Sequence, residues 1–326
     1  LQKIDEINRV TRIISMNARI EAVRIGTAGR SFGVIAEEMD TLSRRVSDTA
    51  QEIDRMAGHT STDLRERLEQ LQTNVRRTRL TDLALANIDL IDRNLYERSC
   101  DVRWWATDAA MVAALQDAQP GAIAHASQRL GQILDSYTVY FDLVLADLHG
   151  HVIANGQPRQ YRSVGQSVAQ QAWFQSAMAT ASGEEFGFQS MHSSPLAGGE
   201  RVLVYACTVR EGGRVTGRPL GVLGIVFRWD ALAQTIVERT PLSEAEWGRS
   251  RVCIVDPQGQ VLADTPGSDT ASTRLDFPGR ASLFGESRAA VDLVIDGRPH
   301  CVAQAASPGY ETYRTGWHCV IVQRLG

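Results

Sequence analysis

Two periods of apolar residues divide the chain. Up to residue 136 the apolar positions recur every three or four residues, as on a helix. From Tyr137 they come in short blocks bounded by turn residues, as in strands. In residues 1–25, Ile4, Ile7, Val10, Ile13 or Ile14, Asn17 and Ile20 share one stripe, which predicts a helix with a packed face. Gly26 and Gly29 then bracket Thr27-Ala28. Glycine takes the left-handed backbone that closes a helix, so a tight turn is expected before helix resumes at Phe32. Beyond it Ile35, Met39, Leu42, Val46, Thr49, Ile53 and Met56 are spaced 4, 3, 4, 3, 4 and 3, a heptad seam. Leu64, Leu68, Leu71 and Val75 resume the heptad one residue out of phase, after Gly58-His59-Thr60-Ser61. Such a slip predicts a local unwinding or a short linker.

The arm before the turn is about half as long as the arm after it, and an antiparallel coiled coil needs a partner along its whole length. The missing arm is expected upstream of Leu1 or in a second chain. A third helical stretch, residues 78–117, carries Leu83, Leu85, Ile88, Ile91, Leu95, Val102, Trp105, Met111, Val112 and Leu115 at helical spacing. Trp104 and Trp105 are expected to dock on a following domain. Gln119-Pro120-Gly121 ends this stretch, and a short helix over 122–136 follows.

The strand region repeats itself. Asp147-x-x-Gly150-x-Val152-x-Ala154 returns 109 residues later as Asp256-x-x-Gly259-x-Val261-x-Ala263. Strands over 202–209 and 220–229 in the first half correspond to strands over 300–305 and 317–323 in the second. Asp296-Gly297 is a type I′ hairpin turn by composition. An internal duplication of this kind predicts two tandem α/β modules, each an antiparallel sheet with helical cover.

Composition narrows the function classes. The chain has 326 residues and a net charge of -4, which removes the electrostatic case for nucleic acid. No apolar run reaches the roughly 18 residues that span a bilayer, and the charged, helical start is not a signal peptide. The opening lacks Met and begins inside a pattern, as a fragment would. The five cysteines lack C-x-x-C spacing, so small buried thiols in a reducing compartment are expected rather than disulfides or zinc. No P-loop, G-x-S-x-G, H-E-x-x-H, kinase or cyclase signature is present. His149 and His151 flank a turn glycine and read as a solvated loop. Catalysis, metals and cofactors are not expected.

Residues 17–38 read Asn-Ala-Arg-Ile-Glu-Ala-Val-Arg-Ile-Gly-Thr-Ala-Gly-Arg-Ser-Phe-Gly-Val-Ile-Ala-Glu-Glu. This string resembles the hairpin tip of bacterial chemoreceptors, the methyl-accepting chemotaxis proteins. Asn17, Ala18, Ile20, Glu21, Ala22, Arg24, Gly26, Gly29, Arg30, Phe32, Val34, Ala36 and Glu38 fall in register with that family's pattern. Arg19, Val23, Ile25, Thr27, Ser31 and Gly33 depart from it. The resemblance implies contact with a chemotaxis-type histidine kinase and its coupling adaptor through Glu21, Arg24, Ile25, Gly26, Phe32 and Val34. It also implies a homodimer, because two such hairpins pair into a four-helix bundle in that family.

Residues 78–326, a long helix feeding two modules, resemble the double Cache sensory domain, a pair of PAS-like sheets. Val164 to Ala177 looks like the segment that covers the first module's pocket. A pocket combines an apolar wall with a few orienting polar groups. Trp173 and Phe174 supply the wall, and His192, Ser194, Tyr205 and Asp230 are the polar candidates. Amino-acid-sensing relatives carry Arg two residues before a Trp-Tyr pair and an Asp in a later strand. Here those places hold Gln171 and Phe174, and the acid comes only at Asp230. Without the bidentate guanidinium, a small molecule other than an α-amino acid is expected.

The expected fold class is α+β: an N-terminal antiparallel helical hairpin or coiled coil, a long connecting helix, then two tandem PAS-like antiparallel-sheet modules. The expected divisions are 1–77 hairpin, 78–136 connector, 137–248 ligand-binding module and 249–326 second module. The reading is a chemoreceptor-like transducer with hairpin and sensor both in the cytoplasm. Two others stay open: a scaffold whose modules bind nothing, and the sensory portion of an enzyme.

Overall fold

The computed structural model describes residues 2–265 and 274–325. The chain divides into two units, Leu1–Arg76 and Arg77–Gly326.

In the first unit α1 (Gln2–Ile25) leads through a 3₁₀ turn (Gly26–Gly29) into α2, whose full extent is Arg30–Trp105. Gly26 has a φ of 72°, as the turn requires. At Gly29 a Cβ would lie 2.2 Å from the Ala22 carbonyl oxygen, so only glycine lets the arms close here.

The seam between the arms is made of small residues. Asn8, Ser15 and Ala22 on one side, and Gly29, Ala36 and Ser43 on the other, fall seven apart and are buried. Buried Ala50 continues the series. Ser15 Oγ donates to the Ala36 carbonyl at 2.5 Å, and Ser43 Oγ donates to Asn8 Oδ1 at 3.1 Å. Small side chains shorten the distance between helix axes. This corrects the predicted packing. Ile4, Ile7, Val10, Ile13, Ile14 and Ile20 of the first stripe are exposed, as are Ile35, Leu42, Val46, Ile53 and Met56 of the heptad. Ile7 and Leu42 are 65% and 61% exposed. The break predicted at 58–61 does not occur: α2 passes through it, with Thr62 Oγ donating to the Gly58 carbonyl.

In the second unit, Leu80, Ala84, Ile88, Ile91, Leu95 and Val102 form the buried stripe of α2. Helices α3 (Ala109–Asp117) and α4 (Pro120–Ser136) follow. The first sheet comprises β1 (Tyr140–Asp147), β2 (Val152–Asn155), β3 (Gly187–Ser193), β4 (Arg201–Arg210) and β5 (Pro219–Phe227). The second comprises β6 (Ser250–Val255), β7 (Val261–Asp264), β8 (Arg288–Ile295), β9 (Arg298–Ala306) and β10 (His318–Arg324). Their orders, β2-β1-β5-β4-β3 and β7-β6-β10-β9-β8, are the same topology twice.

The repeated motif is a repeated turn. Asp147 Oδ1 accepts from the N–H groups of His149 and His151, and Asp256 Oδ1 accepts from those of Gln258 and Gln260, all within 2.9 Å. Gly150 and Gly259 take φ values of 79° and 87°. Each sheet turns one face to a common core with the α2 stripe, including Leu203, Tyr205 and Ile225 from the first and Ile254, Ala303 and Cys319 from the second.

Polar fasteners hold this arrangement. Buried Asp92 on α2 accepts from Ser307 Oγ (2.5 Å), the Gly309 N–H (2.7 Å) and Thr315 Oγ1 (2.7 Å). Tyr140 Oη donates to Asp101 Oδ2 at 2.5 Å. Trp105 packs edge-on against Tyr137 and Tyr140. Trp104, expected to dock beside it, is instead 70% exposed. All five cysteines are free thiols, four of them buried. No described helix is long and apolar enough to cross a membrane.

Candidate ligand site on the first sheet

The outer face of the first sheet presents Val144, Ala146, Val202, Val204, Ala206, Val222 and Val226. It is covered by α5 (Ala172–Met178), whose Trp173 and Phe174 are buried in the same cluster. Two glycines permit this cover. At Gly187 of β3 a Cβ would stand 2.3 Å from the Ala177 nitrogen, and at Gly224 of β5 it would meet the Trp173 ring at 3.0 Å. Trp173 and Phe174 meet edge-to-face with centroids 6.0 Å apart. The Trp173 N–H donates to Gln189 Oε1 at 3.3 Å.

A row of paired residues crosses this face: Asp142 opposite Val226, Val226 opposite Val204, and Val204 opposite Gln189. Residues directly opposite share a face, so a fully buried carboxylate ends a row of valines. Its Oδ1 accepts from the N–H groups of Leu143 (2.8 Å), Gly156 (3.0 Å) and Gln157 (3.1 Å), and Oδ2 accepts from Asn155 Nδ2 (2.6 Å). Burial raises its pKa to about 6, against the lowering effect of these bonds. Asn155 Nδ2 donates also to the Tyr161 carbonyl at 3.1 Å. Asn155 Oδ1 and Ser163 Oγ, both buried, have no hydrogen-bond partner among the described residues. His192 faces the same side, opposite Val202. Its Nδ1 lies 2.9 Å from the Ser190 carbonyl oxygen and therefore carries the proton. Its buried Nε2 has no partner among the described residues.

Of the six ligand candidates, the structure brings Trp173, Phe174 and His192 to this face. Ser194 lies just past β3, where its Oγ accepts from the Leu196 N–H at 3.3 Å and shapes the connection. Tyr205 belongs to the opposite face, with Oη 2.6 Å from Tyr313 Oη. Asp230 sits in the first turn of α6 (Trp229–Glu238), half exposed and 3.7 Å from Arg201. Burial raises its pKa, partly offset by Arg201. Sequence reasoning missed Asp142, Asn155, Ser163 and Gln189. The available signal was the acid inside Tyr140-Phe-Asp-Leu-Val-Leu, since buried carboxylates are rare without a partner.

At the hairpin, Glu21, Arg24, Ile25, Gly26, Phe32 and Val34 are all exposed at or beside the turn. Glu21 and Arg24 form an ion pair at 3.5 Å. Among the described residues no group of His, Cys, Asp or Glu could hold a metal ion.

Two tandem sheets of one topology, packed on a long helix, define a double-module sensory domain of the PAS-like kind. The family model dCache_1, described as Cache domain, matches residues 35–325, and the chain belongs to that family. Its fold is that of the ligand-binding domain of the Campylobacter jejuni chemoreceptor Tlp3, solved with 4-methylisoleucine: TM-score 0.58 at 14% identity, covering 77% of this chain and 91% of that one. The sensor domain of the Vibrio cholerae histidine kinase DctB aligns with a TM-score of 0.53 at 16% identity, over 79% of this chain and 98% of that one. In sequence, the methyl-accepting chemotaxis protein PcaY of Pseudomonas putida is 33% identical over 93 residues, 28% of this chain and 17% of PcaY. The chain thus matches about a sixth of the length of that curated relative.

Proposed function

We propose that this protein is a non-catalytic signal transducer. Its first Cache sheet binds a small molecule under α5, and its hairpin tip passes the state of the sensor to a chemotaxis-type histidine kinase and coupling adaptor. The observation that carries this reading is the pairing, in one chain, of a Cache unit with a glycine-tipped hairpin that leaves its large apolar residues exposed. Exposed apolar stripes of this size mark interaction surfaces. Their heptad spacing suits a second copy of the same hairpin, hence a homodimer. Tip residues Glu21, Arg24, Ile25, Gly26, Phe32 and Val34 stay outward and are the contact set. The reading keeps hairpin and sensor together in the cytoplasm, where that kinase works, and takes the ligand to be something other than an α-amino acid. A ligand acts only through unequal affinity for two signalling states.

The test is kinase autophosphorylation with the purified chain, a chemotaxis-type histidine kinase and its adaptor. Addition of the chain is expected to change the rate. Phe32→Ala should weaken its hold on the kinase by at least about tenfold, or ~1.4 kcal/mol, with unchanged circular dichroism. A rate indifferent to the chain would favour the scaffold reading. Likeness to the DctB sensor domain favours the third reading, a sensor serving an enzyme in cis; kinase control by this chain in trans would exclude it.

A further inference from the structure

We propose that the corner formed by Asp142, Asn155 and Ser163 is the polar half of the ligand site, and that it takes the ammonium group of a small amine bearing no carboxylate. The inference rests on the reading of the outer face of the first sheet as the ligand site.

The orientation of Asn155 is fixed, because both Nδ2 protons are used, by Asp142 and by the Tyr161 carbonyl. Its Oδ1 is therefore an acceptor held in the interior without a donor. Leaving such a group unmade is costly, and native proteins rarely do so without a reason. Asp142 uses Oδ1 for three bonds and Oδ2 for one, so Oδ2 has acceptor capacity left. Ser163, two residues beyond Tyr161, contributes a second unpaired oxygen, after Asn155 Oδ1. An ammonium group offers three N–H donors and no acceptor, which matches these two oxygens and the spare capacity of Asp142 Oδ2.

Charge points the same way. Asp142 makes no ion pair among the described residues. The guanidinium of Arg228, just past β5, is otherwise engaged: it donates to the Tyr140 carbonyl and lies 4.4 Å over the Phe141 ring. A buried carboxylate without a cation is the group that a cationic ligand would satisfy. Beyond Asp142 the row continues as Val226 and Val204 beside the Trp173 ring, so the remainder of the ligand meets hydrocarbon. Buried Arg210 of β4 spends its guanidinium on Thr208 Oγ1 and the carbonyls of Gly217 and Thr180, and Gln171, not an arginine, stands just before α5. A shallow surface depression lined by Gly156–Gln160 borders the corner, next to the two N–H groups that Asp142 holds, and is the side from which we take the ligand to enter.

The experiment uses calorimetry on the full chain with primary amines from methylamine to hexylamine and putrescine. Leucine and 4-methylpentanoate serve as counterparts carrying a carboxylate. At least one amine is expected to bind, with both carboxylates silent. Asp142→Asn keeps the shape and should weaken that amine at least tenfold, and Ser163→Ala should weaken it less. If leucine or 4-methylpentanoate binds and Asp142→Asn leaves that binding intact, the amine assignment falls while the sensor reading stands. If no amine binds above the level of Asp142→Asn, the corner holds buried water only and the proposal is overturned. Kinase control tested without these amines decides the transducer reading separately.

Discussion

The two sheets have one strand order and one aspartate-capped turn, yet their outer faces are finished differently. In the second sheet that face is closed by Leu275, Phe277 and Leu283 over Cys253, Val255, Val302 and Val320. Its polar groups serve one another: His318 Nδ1 lies 2.9 Å from Gln304 Oε1, and Gln304 Nε2 donates to the carbonyls of Leu283 and Glu286. No buried side-chain donor or acceptor of the second sheet is unpaired among its described residues, whereas the first sheet and its cover leave Asn155 Oδ1, Ser163 Oγ and His192 Nε2 unpaired. A duplicated scaffold keeps what folding requires, the turn and the strand order. It is free to differ where only a ligand would notice. The proposed ligand site rests on these unpaired atoms and not on the architecture that the two sheets share.

The largest expected effect that could break this comparison is at Trp173. Trp173→Ala should destabilise the chain by about 3–5 kcal/mol in denaturant unfolding, the usual cost of emptying a buried aromatic site. Phe277→Ala, under the second sheet, should cost nearly as much in the absence of ligand. Only Trp173→Ala should also abolish the stabilisation that a bound ligand supplies. Equal ligand stabilisation in both variants would show that the two faces do not differ in use.

A second measurement is the pH dependence of stability, where the sheets should pull in opposite directions. Burial raises Asp142 from 3.8 to about 6, so its contribution is full below pH 3.8 and is lost as pH rises through 6. The difference amounts to about 3 kcal/mol at most. Burial, with Arg314 adding to it, lowers His318 from 6.5 to about 4, so its contribution is full above pH 6.5 and is lost as pH falls through 4. Unfolding between pH 4 and 7 should show Asp142→Asn removing the loss on the alkaline side. His318→Gln should remove the loss on the acid side. Curves that both variants leave parallel to the parent would contradict the burial of these groups.

The smallest effect concerns the link between the modules. Tyr313→Phe removes one hydroxyl of the Tyr205–Tyr313 pair and leaves the other buried without a partner. A loss of about 1–2 kcal/mol is expected. The double variant, with Tyr205→Phe added, should recover part of it. A single change without cost would mean that the modules are held by apolar contact alone.

The duplicated hairpins were readable because an Asp-x-x-Gly turn between apolar strands leaves little choice. The edge strands β3 and β8 were harder, since an edge buries one side at most and Gly187–Ser193 shows no clear alternation. Trp173 and Phe174 stood out as large aromatics on a short helix. Tyr205 was assigned to the wrong company for a physical reason. Residues 202–210 of β4 are all buried, so polarity does not tell which parity faces which side. In the hairpin, heptads of large apolar residues suggested the seam, but close approach selected the smaller series.

That small series sets a mutational grammar for the hairpin. A saturation library scored for folding should show positions 8, 15, 22, 29, 36, 43 and 50 closed to bulk, and position 29 closed to everything but glycine. Ile7 and Leu42 should pass that screen with polar replacements and fail one scored for signalling. The two scores would then separate, letter by letter, what holds one hairpin together from what it offers to other molecules.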